Sequence, residues 1–186
     1  MRVFIRNLAL SASCFLLATT ANASGSILTY KGTKFGVSEG EFIKQHPNQG
    51  FVCSDSRIYS GRECRSALAT YANAKADTVA VFFDDKLALM VISLDIPSSD
   101  ITQGAIIDTI VPNQLAEQYG QPNKTQWPVT VEGGTLWTKR WDMQSGDTVA
   151  YVHSHHVING QIFDFRNVSL SSKAANNLIK KTPSDM

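Results

Sequence analysis

Val79-Ala80-Val81-Phe82-Phe83-Asp84-Asp85-Lys86-Leu87-Ala88-Leu89-Met90-Val91-Ile92-Ser93-Leu94 joins two runs of β-branched, aromatic and aliphatic residues through three polar ones. That pattern predicts two antiparallel strands around a tight turn. Both faces of each strand are apolar, so at least one strand belongs at the centre of a sheet covered on both sides. Upstream, Arg65 to Ala74 fits a helix face or a strand, and the hairpin that follows favours strand. Downstream, Asp95 to Asp100 holds Pro97 and two serines and reads as a linker. A helical region follows from Ile101 to Tyr119, broken or restarted at Pro112, and Gly120 and Pro122 mark its stop. Beyond it a meander is predicted over Thr135–Trp141, Thr148–Val157 and Gln161–Leu170, with Asn159-Gly160 as the strongest hairpin signal. In the last of these strands Phe163 and Phe165 are assigned to the core side, and Asp164 and Arg166 to the wet side. A short helix over 171–181 closes the chain.

Toward the N-terminus, Ile27 to Tyr30 suits an edge strand. Ser38, followed by Glu39, Glu41, Phe42 and Ile43, suits a capped, acidic first turn of a short helix ended by Pro47. Helix followed by antiparallel strands is thus expected twice, over about residues 32–95 and 100–170. The expected fold is α+β, with helices packed on one side of an antiparallel sheet and two similar halves.

Residues 1–23 have the features of a secretory leader. Arg2 and Arg6 precede an apolar stretch, and Ala21-Asn22-Ala23 stands before Ser24. Cleavage near Ala23 leaves 163 of the 186 residues as one exported domain, periplasmic or secreted. The leader carries two of the 17 basic residues and none of the 16 acidic ones, so the mature balance is 15 against 16. Neither a polyanion nor a polycation is implied as partner. Aromatic and basic residues form no nucleic-acid surface, and no apolar run reaches the length of a membrane span. Cys14 follows Ser11 where a lipoprotein leader carries an apolar residue, so lipidation is not expected. With Cys14 removed, Cys53 and Cys64 remain as a structural disulfide pair in a compartment where such bonds persist. Their spacing is not that of a redox couple.

Phe35-Gly36-Val37-Ser38-Glu39-Gly40-Glu41-Phe42, a helix, and then Cys53 and Cys64 about a loop resemble the start of a β-lactamase inhibitory protein half-domain. Leu115 to Gly120 with Pro122 resembles the helix-Gly-x-Pro junction of the SmpA/OmlA-type assembly lipoproteins. The resemblance implies a periplasmic or secreted binding module whose sheet carries the recognition surface, without catalysis. A cysteine pair in the second half and a lipid attachment signal are both missing, so inhibition of a β-lactamase is not carried over.

Two constellations stand out for chemistry. His153-Ser154-His155-His156 on a strand points His153 and His155 to one face and His156 to the other, which suits zinc or copper if Asp142, Asp147 or His46 completes the ligands. Trp137, Lys139 and Trp141 share one strand face, with Arg140 and Tyr151 nearby. Aromatic and basic residues of this kind anchor interfaces, but tryptophans also fill cores: the two roles weigh equally for Trp141, and core is favoured for Trp137. No nucleophile elbow, phosphate loop or dinucleotide fingerprint occurs. The expected function is an exported, non-catalytic, cofactor-free module of the bacterial envelope that binds another envelope or secreted protein, of inhibitor, immunity or assembly accessory type. The alternatives are a periplasmic metal-binding protein using His153 and His155 and, ranked last, a small hydrolase.

Overall fold

The structure, a computed structural model, describes residues 26–58, 61–131 and 134–179, with the side chains of 127–131 excepted. The leader, Cys14 and the last two residues of the helix expected over 171–181 lie outside that range. In chain order the elements are β1 (Thr29–Tyr30), β2 (Thr33–Lys34), α1 (Glu39–Gln45), β3 (Val52–Asp55), β4 (Arg62–Tyr71), β5 (Ala74–Phe83) and β6 (Lys86–Leu94). Then follow α2 (Ile101–Tyr119), β7 (Lys124–Val131), β8 (Gly134–Asp142), β9 (Thr148–Ile158), β10 (Gln161–Ser171) and α3 (Lys173–Ile179). β1 and β2 form a small hairpin. The other strands form one antiparallel sheet of eight in the order β3-β4-β5-β6-β10-β9-β8-β7.

Four two-residue turns set the strand registers, at Lys31-Gly32, Ala72-Asn73, Asp84-Asp85 and Asn159-Gly160. All eight of these residues have positive φ. That is the type I′ geometry, whose twist matches the flanking strands. The turn at Ala72-Asn73 is not signalled by sequence, and it divides the predicted strand over 65–74 between β4 and β5.

α1 begins with a capping box: the Ser38 side chain accepts from the Glu41 N–H while Glu41 reaches back to the Ser38 N–H. α2 starts at the Asp100 cap and runs unbroken through Pro112 to Gly120, where a restart was expected. Its buried residues, Gly104, Ile107, Val111, Pro112, Leu115 and Tyr119, form one stripe at helical spacing. Burial of Pro112 against the sheet accompanies that continuity: packing of the stripe holds the helix across a position that lacks an N–H to donate.

Phe42 of α1 and the α2 stripe share one core with Phe82, Met90, Ile92, Trp141, Val149, Val168 and Leu170. α3 lies on the opposite face, where Ala175 packs with Val81, Ala88 and Leu89. Helices therefore cover both faces, which corrects the one-sided expectation. The near-continuous apolar runs of β5 and β6 explain this: Val81 and Leu89 would stand in water without α3. Two main-sheet strands, β3 and β7, were not anticipated. Pro128 in β7 reads as a strand breaker, but β7 is an edge strand and Pro128 falls where its register against β8 shifts, between Gln126 and Val129, a position that tolerates proline.

Candidate functional site

Strand register brings the chemistry-bearing residues of the second half together. Trp137, His153 and Arg166 are direct neighbours across β8, β9 and β10, and Thr135, His155 and Asp164 form the next row. Side chains alternate along a strand, so these rows share the face that Tyr151, Val168 and Leu170 present to α2. Asp164 and Arg166 are therefore turned toward the helix, and Phe163 and Phe165 toward the open side, the reverse of the sequence assignment. The physical reason is Asp108 of α2, which gives the inward cation a partner.

Asp108 receives four donors. Arg166 grips it in bidentate fashion, Nε to Oδ1 at 2.9 Å and Nη2 to Oδ2 at 3.1 Å. The Tyr151 hydroxyl donates to Oδ1, and His153 Nδ1 stands 3.3 Å from Oδ2. Burial raises the Asp108 carboxyl, but the hydrogen bonds from His153, Arg166 and Tyr151 outweigh it and hold the group well below the usual carboxylate range. The Tyr151 phenol is pushed far up, first by burial and then by Asp108. Arg166 is buried, and it reaches α2 because residue 104 is glycine: a Cβ there would stand 2.6 Å from Arg166 Nη2.

A second carboxylate continues the network. Asp164 Oδ1 lies 2.8 Å from His155 Nδ1 and 3.4 Å from His153 Nε2, and the Asp164 N–H donates to Ser98 Oγ at 3.0 Å. Burial raises Asp164, and the bonds to His155 and His153 lower it by more. His153 is also stacked on Trp137, with centroids 4.7 Å apart and planes at 24°. Two cavities flank His153. One, of about 360 Å³, lies between α2 and β7–β8 and is lined by Trp137, Tyr151, Pro112 and Lys139. The other, of about 330 Å³, lies under the α2 N-terminus beside Asp164, His155 and Ile162.

Of the expected binding-surface residues, Trp137, Lys139 and Tyr151 line the first cavity. Trp141 does not: it is fully buried in the core, with its indole N–H donating to the Gly120 carbonyl at 2.7 Å. Arg140 points to the opposite face and pairs with Asp142. His153 and His155 do share a face, and His156 lies on the other, 6.0 Å from the Phe165 ring. The proposed extra ligands do not converge on them. His46 is buried between Phe42 and Tyr30, and Asp142 is engaged by Lys124 and Arg140. Among the described residues, the one group of three such donors close enough to share an ion is Glu39, Cys53 and Cys64, and its cysteines are bonded to each other. Cys53 and Cys64 are cross-strand partners in β3 and β4.

Asp108 and Arg166 were missed as site residues. A lone Asp on the inner stripe of a predicted helix, four residues before Pro112, was the available signal. Buried acids need a partner, and an Arg on an apolar strand supplies one.

On the sheet's open face α3 covers the β5–β6 region, whereas among the described residues nothing covers β9–β10 near their turn. There Phe163 and Phe165 stack at 6.5 Å, and Phe165 and Ile158 are about half exposed, at 50% and 53%. Compared with protein-family models, with curated proteins and with solved structures, the chain matches none at a significant level.

Proposed function

We propose that the chain is an exported, non-catalytic protein-binding module of the bacterial envelope, of inhibitor, immunity or assembly accessory type, which engages another envelope or secreted protein through its antiparallel sheet. The observation that carries this reading is the uncovered aromatic patch of β9–β10, formed by Phe163, Phe165 and His156 with Ile158 at its edge. A stacked pair with Phe165 half in water and Phe163 partly so, on a wide sheet, is costly for an isolated chain and suits an interface.

Further features agree with it. The four donors on Asp108 occupy its acceptor positions, which befits a structural strut more than an acid or base in turnover. The intramolecular disulfide fits an oxidising compartment, as does a leader over residues 1–23. Among the described residues, no helix is long and apolar enough to cross a membrane. The order helix then four-stranded meander occurs twice, and the last strands of the two meanders, β6 and β10, pair at the sheet centre. This supports two similar halves of the β-lactamase inhibitory protein and SmpA/OmlA type.

The test is affinity capture from envelope extract with the wild-type protein and with a Phe163→Ser/Phe165→Ser variant, each with and without chelator. The expected result is one stoichiometric protein partner that survives chelation and is lost with the variant. A partner retained by the variant, or none at all, overturns the reading. Capture abolished by chelator would favour the histidines as metal ligands.

A further inference from the structure

The cavity between α2 and β7–β8 lies on the face opposite the aromatic patch and plays no part in the binding proposed above. Its walls are flat and apolar: the Trp137 indole, backed by the His153 ring at 4.7 Å, stands near Pro112 and Tyr151. Its charges are unbalanced. Asp108 reaches the cavity with its oxygens already taken by Arg166, Tyr151 and His153, so it has little left to offer a ligand cation. Lys139, half-buried on the same face, makes no ion pair among the described residues. Thr125 and Gln126 of β7 add polar groups to the lining. At about 360 Å³ the space is near the lower end of small-molecule pockets, roughly 300–1,000 Å³.

We propose that this cavity binds a small, flat organic acid with a single carboxylate, its ring laid against Trp137 and its carboxylate paired with Lys139. A planar body matches the indole wall, since offset stacking on an aromatic face adds to the area buried. One anionic group matches the one ammonium on this wall, which has no ion-pair partner among the described residues.

Calorimetric titration of the purified protein with 2-naphthoate and with its uncharged counterpart 2-naphthamide tests the assignment. For the wild-type protein the acid is expected to bind about tenfold more tightly than the amide, a difference of about 1.4 kcal/mol. Lys139→Met keeps the aliphatic stem and should bring the acid down to the affinity of the amide. Trp137→Leu should weaken both, with near-ultraviolet circular dichroism confirming that each variant is folded. Phe165→Ser, on the other face, should leave both titrations unchanged. Equal affinity for acid and amide, a preference that survives Lys139→Met, or no heat from either probe up to its solubility limit overturns the proposal. None of these outcomes touches the aromatic patch, so failure here and failure of the partner reading are distinguishable.

Discussion

Asp108 decides how the second half of the sheet meets its helix. A buried Arg166 without a carboxylate would carry an uncompensated charge, and removing one partner of such a pair typically costs several kcal/mol. Asp108→Ala should therefore destabilise the protein by about 3 kcal/mol, read from the urea midpoint by tryptophan fluorescence. The pH dependence has a definite sign. Asp108 is depressed on folding, so its stabilisation is complete above about pH 5 and is lost as pH falls below the unfolded value, ~3.9, toward the lower folded one. The variant should lose less stability than wild type between neutral pH and that acid range, because it no longer contributes this proton uptake. Gly104 gives a second test. Gly to Ala inside a helix ordinarily gains about 1 kcal/mol. Here the new Cβ would meet the guanidinium at 2.6 Å, so Gly104→Ala should destabilise wild type and stabilise an Arg166→Met background. The same sign in both backgrounds would show that the glycine is not there to admit the arginine.

At the scale of elements, the N-terminal strands and α1 have local fastenings. The Cys53–Cys64 bond, with a sequence separation of 11, ties edge strand β3 to β4. Closing a loop of that order is worth about 3 kcal/mol in the chain-entropy account. Cys53→Ser/Cys64→Ser should lower stability by about that amount and raise hydrogen exchange in β3 and β4 before β8–β10. α1 hangs on its capping box, so Ser38→Ala should cost about 1 kcal/mol, measured by thermal unfolding. The elements that local chemistry specifies were legible in the sequence: α2 spans Ile101–Tyr119 as its stop signals indicate, though without the break expected at Pro112, and β8, β9 and β10 match their turn residues within about two residues. What depends on distant partners was not. The Ala72-Asn73 turn has no residue that advertises it, β7 hides behind its proline, and the face of α3 is decided by which side of β5–β6 still needs cover. Likewise, Phe163 and Phe165 were read as core because hydrophobicity alone cannot see the Asp108 that draws Arg166 inward. Trp137, favoured for the core, is instead a cavity wall, and Trp141 is the fully buried one, a difference that no local pattern encodes.

Across the whole molecule, two meanders join through β6 and β10 into a sheet whose two faces are differently finished. One is packed beneath α1 and α2, with the polar network and cavities toward the β7–β10 side. The other is sealed by α3 over β5–β6 and, among the described residues, left bare over the β9–β10 turn. Binding through that bare face is the central claim. It is tested most directly by placing a photoreactive benzoylphenylalanine at Phe165 or, as a control, at Leu68, which is 71% exposed on β4, and irradiating each protein in envelope extract. The account predicts one discrete protein adduct from position 165, absent from position 68 and abolished by Phe163→Ser. Identical adduct patterns from the two positions, or none from position 165, would contradict it.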